Sequence, residues 1–287
     1  MPAISDSVFA EKYRRETQHE SQRMGAVLPG CVNTIGVDSG DGKRVTFYRT
    51  DAASKPVKKT GNGRLPSNSV THNAIPADLD KWHEVIDIDN FDEFRTSFAL
   101  QQANRKALLE ALNRHRDDEI IRVLDTTTTQ HDGGAAVSLN EDVALNWRKQ
   151  LADNVAIVNG RKITALCTTQ MEVNLMKIET FRNSDYVEVK PFSAENMYVE
   201  GAEGTIRCRE WLGIKWIFWN DLPGQGTAAA KSFLFTDNSV GHVTRGIESY
   251  VGQNERDDEV WVRHSCILGT ALVEPKNVIE LTHDDTA

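Results

Sequence analysis

The chain has 287 residues, 39% of them hydrophobic, enough to build one large or two ordinary domains without disulfide or metal support. Its 33 Lys and Arg stand against 42 Asp and Glu, a formal charge of -9, which excludes a protein that grips nucleic acid over its whole surface. No run approaches the ~18 consecutive apolar residues of a membrane span. Cys31, Cys167, Cys208 and Cys266 lie far apart without a C-x-x-C pair, so spacing offers neither a disulfide framework nor a zinc site and fits a reducing compartment.

In chain order, residues 1–30 read as a polar arm without the apolar middle of a secretory signal. Two β-branched runs, 31–37 and 44–48, flank Ser39-Gly40-Asp41-Gly42 and predict a hairpin. Residues 50–69, with Pro56, Gly61, Gly63 and Pro66, are too long and polar for a plain connector and predict an interacting loop. Ile75, Ala77 and Leu79 then alternate with polar neighbours, as a returning strand does. The tip of this protrusion is basic: Lys43, Arg44, Arg49, Lys55, Lys58, Lys59 and Arg64 oppose only Asp51. The next segment reverses sign, with Asp78, Asp80, Glu84, Asp87, Asp89, Asp92 and Glu93 outnumbering Lys81 and Arg95. A protruding basic loop reaches a neighbouring molecule more readily than its own body, so these two sets are the candidate subunit interface.

Thr96 or Ser97 is the expected N-cap of a helix over residues 97–124, roughly 40 Å long. Its apolar recurrence runs through Ala103, Ala107, Leu108, Ala111, Leu112, Ile121 and Leu124. Such a rod suits a spine better than a compact enzyme domain. Ser138-Leu-Asn-Glu141 resembles a capping box ahead of Val143, Trp147, Leu151 and Val155, and Asn159-Gly160 is the expected stop. A strand over 163–167 and a helix over 170–178 follow. Residues 211–219 read as one buried strand ended by Asp221-Leu-Pro-Gly224, and 233–235 as a short strand. Two closing strands, 260–268 and 272–281, are joined at Gly269-Thr-Ala271. The fold class is α+β.

Catalytic constellations are thin. His264-Ser-Cys266 near Asp257 is the nearest to a nucleophilic group, a hydrolase-type reading, and no G-x-S-x-G elbow supports it. The eight histidines form no H-E-x-x-H pair, and no metal or cofactor site is read. Asp117 and Asp118 point about 100° apart on a helix, which favours ion pairs with Arg114, Arg116 or Arg122 over metal ligation. The tryptophans between 211 and 219 are mixed with Leu212, Ile214 and Ile217 and read as core.

Three patches carry a likeness: Asp78 to Asn90 (DLDKWHEVIDIDN), Asn113 to Leu124 (NRHRDDEIIRVL), and a discontinuous set of Leu212-Gly-Ile-Lys-Trp-Ile217, Leu222-Pro-Gly224 and residues 265–281. In this order they resemble the major capsid proteins of tailed phages with the Hong Kong 97-type fold, in particular a podovirus-like phage capsid protein family. The first patch resembles that family's returning loop strand followed by an acidic helix, and the second its spine helix. Ser97-Phe-Ala-Leu100 departs from the break the family places before that helix.

The resemblance implies an N-terminal arm (1–30), an extended loop with its flanking strands (31–90), a peripheral domain with the spine helix (91–137), an axial domain (138–255) and return strands (256–287). It implies a virion protein, assembled in the host cytoplasm, whose copies close as hexamers and pentamers into an icosahedral shell around double-stranded DNA held by weak, non-specific contact. A separate scaffolding protein, a portal and a decoration or cement protein are the implied partners, and no membrane is. An encapsulin-like cellular nanocompartment shell is the rival within the same fold.

Overall fold

The computed structural model describes residues 25–37, 42–53, 55, 58, 69–89, 98–154, 160–182, 198–200, 205–254 and 259–286. Twelve strands lie among them: β1 (Asn33–Gly36), β2 (Arg44–Thr50), β3 (His72–Asp78), β4 (Asp80–Asp89), β5 (Ile163–Thr168), β6 (Tyr198–Glu200), β7 (Thr205–Trp211), β8 (Ile214–Trp219), β9 (Ala230–Thr236), β10 (Val240–Asn254), β11 (Glu259–Leu272) and β12 (Val278–His283). The helices are α1 (Phe98–Leu124), α2 (Glu141–Asp153), α3 (Thr169–Lys177) and α4 (Glu179–Arg182). The strands form three sheets, ordered β1-β10-β11-β4, β12-β9-β5-β8-β7-β6 and β2-β3. We call the first the peripheral sheet and the second the axial sheet.

The axial sheet is buried on both faces. On one, Trp147 and Leu151 of α2, Met171 and Leu175 of α3 and Phe181 of α4 pack against Ala165, Cys167, Trp211, Trp216 and Leu234. On the other, Ile120, Ile121, Val123 and Leu124 of α1 pack against Leu166, Ile217, Trp219, Phe233 and Phe235. All six residues of β5 are therefore buried, as a strand covered on both faces requires. The tryptophans are core: Trp216 lies 6.2 Å from Trp147 and 6.0 Å from Trp211 between ring centres.

Helix α1 is the expected spine, and Leu112, Ile121 and Leu124 of the predicted stripe are buried, but the stripe is also partly polar. Glu110, Asn113, Arg116 and Asp117 are buried, whereas Ala107 is exposed. Asp117 turns inward: the backbone N–H groups of Val27 and Leu28 donate to its Oδ1 at 3.1 and 2.9 Å. About two turns earlier on the same stripe, the Gly25 N–H donates to Glu110. Arg122 on this helix pairs with Glu119 at 2.7 Å. The segment 25–32 is thus pinned to the spine by two carboxylates that satisfy its backbone donors.

The four threonines after α1 join the spine to the axial sheet. The Thr126 hydroxyl donates to the Val123 carbonyl and closes the last helical turn, and the Thr127 hydroxyl donates to the Val278 carbonyl at 3.1 Å. The Glu280 N–H donates to the Thr129 carbonyl, so the run lies along the edge of β12.

Several expectations are corrected. β1 does not form a hairpin with β2; it pairs in parallel with β10, from Asn33↔Gly241 to Gly36↔Thr244. Residues 80–89 stay extended throughout, paired with β11, where the resemblance implied a strand turning into an acidic helix. The helix cap before α2 is Asn140, whose side chain accepts from the Val143 N–H at 2.9 Å, not Ser138. Residues 211–219 are two strands, joined by a two-residue turn with positive φ at Leu212 and Gly213. Gly269, Thr270 and Ala271 lie inside β11, and the joint between the closing strands is the 3-10 turn Pro275–Asn277. Thr96, Ser97 and Asn159 lie outside the described residues.

Two measurements follow. Asp117→Ala leaves two buried N–H groups without acceptors and is expected to lower stability by about 3 kcal/mol in urea unfolding of the unassembled subunit. Asp117→Asn, which keeps one acceptor oxygen, is expected to lose about half of that. The second concerns His242, which is fully buried and bonded to Thr270 Oγ1 at 2.9 Å. Burial, reinforced by the Arg116 guanidinium, pushes its imidazole from 6.5 down to about 4. On acidification the unfolded chain takes up this proton first. Stability from this group is therefore constant above about 6.5 and declines as pH falls toward 4, by about 3 kcal/mol in full. His264 and His283, also pushed down by burial, titrate in the same sense. His242→Gln is expected to reduce the acid slope of stability between those limits without abolishing it.

Candidate subunit interface

Strands β2 and β3 form an antiparallel ribbon running from Arg44↔Asp78 to Thr50↔His72, and the Asp51 N–H still donates to the Thr71 carbonyl beyond it. The two strands expected on either side of the basic loop therefore pair with each other, while most of the loop lies outside the described residues. The root is docked by Phe47, buried with Ala77, Val243 and Ala271. Position 241 must be glycine here, because a Cβ would stand 2.4 Å from the Phe47 ring. Arg49 extends the docking: its guanidinium donates to the Val273 carbonyl at 3.1 Å and lies 3.3 Å from Asp51. On the opposite side of the ribbon Tyr48 is 79% exposed. A polar groove of about 880 Å³ lies at the root, between Asn33, Arg49, Arg161, Asn238 and Lys276.

The two charged sets are distributed unevenly. Arg44 and Asp78 face each other at 2.5 Å within one molecule, in the first rung of the ribbon. Their hydrogen bond holds the Arg44 guanidinium above and the Asp78 carboxyl below their usual ranges. Lys43 sits at the root, where its carbonyl accepts from the Leu79 N–H, and Lys55 and Lys58 are exposed. Asp80, Glu84 and Asp87 are exposed along β4, and Asp89 ends that strand. β4 is hydrogen-bonded on its β11 side and forms the edge of the peripheral sheet. Lys59, Arg64, Asp92 and Glu93 lie outside the described residues.

Two of the three residues of the nucleophile candidate are described. His264 Nδ1 is 2.7 Å from Ser249 Oγ, while Cys266 packs with Leu112 and Leu268 against α1. Asp257 lies outside the described residues. Burial pushes the Cys31 thiol up to about 11 and the Cys167 thiol higher still, away from thiolate chemistry. Among the described residues no group of three or more His, Cys, Asp or Glu is placed to hold a metal ion. Also among them, no helix is long and apolar enough to cross a membrane. Sequence reasoning missed the carboxylates of Glu110 and Asp117 as anchors, and their inward spacing of seven residues was the available signal.

A rod that bridges two sheets, a docked ribbon reaching outward and an open acidic strand edge define a subunit made to tile. The chain belongs to the phage capsid protein family, whose model matches residues 5–285. It is a structural protein of the virion capsid, where many copies form a shell. No curated relative matches in sequence. Solved structures match the fold over nearly the whole length. The capsid of cyanophage P-SCSP1u aligns with a TM-score of 0.69 at 15% identity, covering 98% of this chain and 94% of that one. A chain of Mycobacterium phage Che8 gives 0.67 at 15% identity, with 94% and 96% covered. The capsid of Ralstonia phage GP4 gives 0.65 at 11% identity, with 100% and 99% covered. The fold is of the Hong Kong 97 type.

The docking of the loop root is directly testable. Gly241→Val is expected to displace Phe47, lower subunit stability by about 1–3 kcal/mol and expose the ribbon to limited proteolysis between residues 51 and 71. Unchanged cleavage would show that the ribbon is held in some other way.

Proposed function

We propose that this protein is the major head subunit of a tailed phage, closing as hexamers and pentamers around double-stranded DNA. The family match over 5–285 carries the reading, because it spans the arm, the spine and both sheets at once. The same match favours a phage head over an encapsulin-like compartment and leaves a hydrolase-type role for His264 and Cys266 without support. The role is structural and non-enzymatic. Assembly takes place in the host cytoplasm with a separate scaffolding protein, a portal and a decoration or cement protein. The net charge of -9 favours a wall that touches DNA weakly, which packaging and ejection need.

Within the capsomer, the basic loop docks on the acidic strand of the adjacent subunit. Arg44 and Asp78 lock the root of the ribbon within their own chain. The contact between molecules is then carried by Lys43, Lys55, Lys58, Lys59 and Arg64 against Asp80, Glu84, Asp87, Asp89, Asp92 and Glu93. Arg49 is committed to Val273 and Asp51 and acts as a brace for the loop. Single exposed pairs contribute only ~0–1 kcal/mol each, but a closed shell repeats every pair in every subunit.

Reversing Lys55, Lys58 and Lys59 to Glu is expected to lower the yield of shells severalfold while the unassembled subunit keeps its circular dichroism and thermal midpoint. A normal particle yield from that triple variant argues against loop docking.

A further inference from the structure

Only one face of the peripheral sheet is covered by α1. Residues directly opposite in neighbouring strands share a face, so the register sorts them. Val262, His264, Cys266 and Leu268 are buried, and Cys266 and Leu268 pack on Leu112 of α1. The opposite face carries four successive rows: Arg245–Ile267–Lys81, Glu248–Ser265–His83, Tyr250–Arg263–Val85 and Gly252–Trp261–Asp87. Tyr250 and Val85 on this face are 42% and 43% exposed.

The middle of that face is preorganised. The Arg263 guanidinium lies 4.8 Å from the centre of the Tyr250 ring and 5.6 Å from that of Trp261. Position 252 has no side chain to spare, since a Cβ would stand 2.2 Å from the Trp261 ring. The indole thus lies against the β10 backbone and helps to hold the guanidinium. Glu248 is already satisfied: it accepts from the Tyr250 hydroxyl at 2.7 Å and pairs with Arg245 at 2.9 Å. The Tyr250 hydrogen bond, with Arg245, Lys81 and Arg263 nearby, holds its carboxyl below the usual range. Among the described residues Arg263 has aromatic neighbours but no carboxylate in salt-bridge contact.

We propose that this face docks a carboxylate-bearing segment of a second copy of the chain, with Arg263 as its anchor. Tyr, Trp and Arg are the side chains that most often dominate binding energy at an interface. A guanidinium fixed between rings loses little freedom on binding and is shaped for bidentate pairing with a carboxylate. The shell supplies a second copy as the constant neighbour, and its 42 acidic residues outnumber its 33 basic ones. Lys81, Arg245 and Arg263 repel the basic loop, so the docked segment is a different part of the neighbour from residues 43–64. Asp87, in the last row of this face, also belongs to the acidic set offered to that loop, so the two surfaces adjoin along β4.

The test places a photo-crosslinker beside the anchor, as Val85→p-benzoylphenylalanine, in shells assembled from the full chain. The expected product joins residue 85 to an acidic peptide of the same sequence outside residues 43–64, in shells and not in unassembled subunits. A crosslink confined to one subunit, to the basic loop or to a different protein overturns the proposal, as does the absence of any crosslink in intact shells. In parallel, Arg263→Ala is expected to lower shell yield at least about tenfold, with Arg263→Lys intermediate. An unchanged yield from a folded Arg263→Ala subunit contradicts the anchor role. Should that variant not fold, the crosslink decides alone.

Discussion

The structure depends on one helix satisfying two incompatible surfaces. The first half of the buried stripe of α1 is polar, with Glu110, Asn113, Arg116 and Asp117, and its second half is apolar, with Ile120, Ile121 and Leu124. The apolar half is accounted for by burial against the axial sheet. The polar half is stable in the interior only because its carboxylates accept the backbone donors of residues 25, 27 and 28. Segment 25–32, the spine and the axial sheet are consequently one mechanical unit. The peripheral sheet joins through Leu112 with Cys266 and Leu268, and through buried His242, which lies near enough to Arg116 to feel its charge.

Charged residues of the candidate interface lie on the β2–β3 ribbon and on β4. The β2–β3 ribbon is fixed at its root by Phe47, Arg49 and the Arg44–Asp78 pair. Among the described residues β4 pairs with β11 alone, and acids along it keep such an edge strand from pairing indiscriminately. Individually weak, such contacts suit a shell, where the same geometry recurs in every subunit and no single pair must be strong.

Much of this was legible in the sequence, and the failures have physical causes. The spine, α2, β5, α3 and the existence of the basic ribbon were read from periodicity and from the sign of charge. β10 went unread because Gly241, Gly246 and Gly252 interrupt its pattern and a register shift between Arg245 and Glu248 breaks the alternation. The turn between β7 and β8 went unread because Leu212 takes a positive φ that normally announces itself as Asn or Asp. β1 was assigned to the nearer strand, whereas its partner lies some 200 residues away, which local pattern cannot reveal. The charged sets were found, but sequence gave no means to see that Arg44 and Asp78 are spent on each other.

The most direct measurement is electron cryomicroscopy of particles assembled from the full chain, at a resolution that traces the ribbon. The account predicts closed icosahedral shells in which the ribbon of each subunit lies over β4 of its neighbour. Small closed oligomers, or shells in which each ribbon folds back on its own subunit, would contradict it.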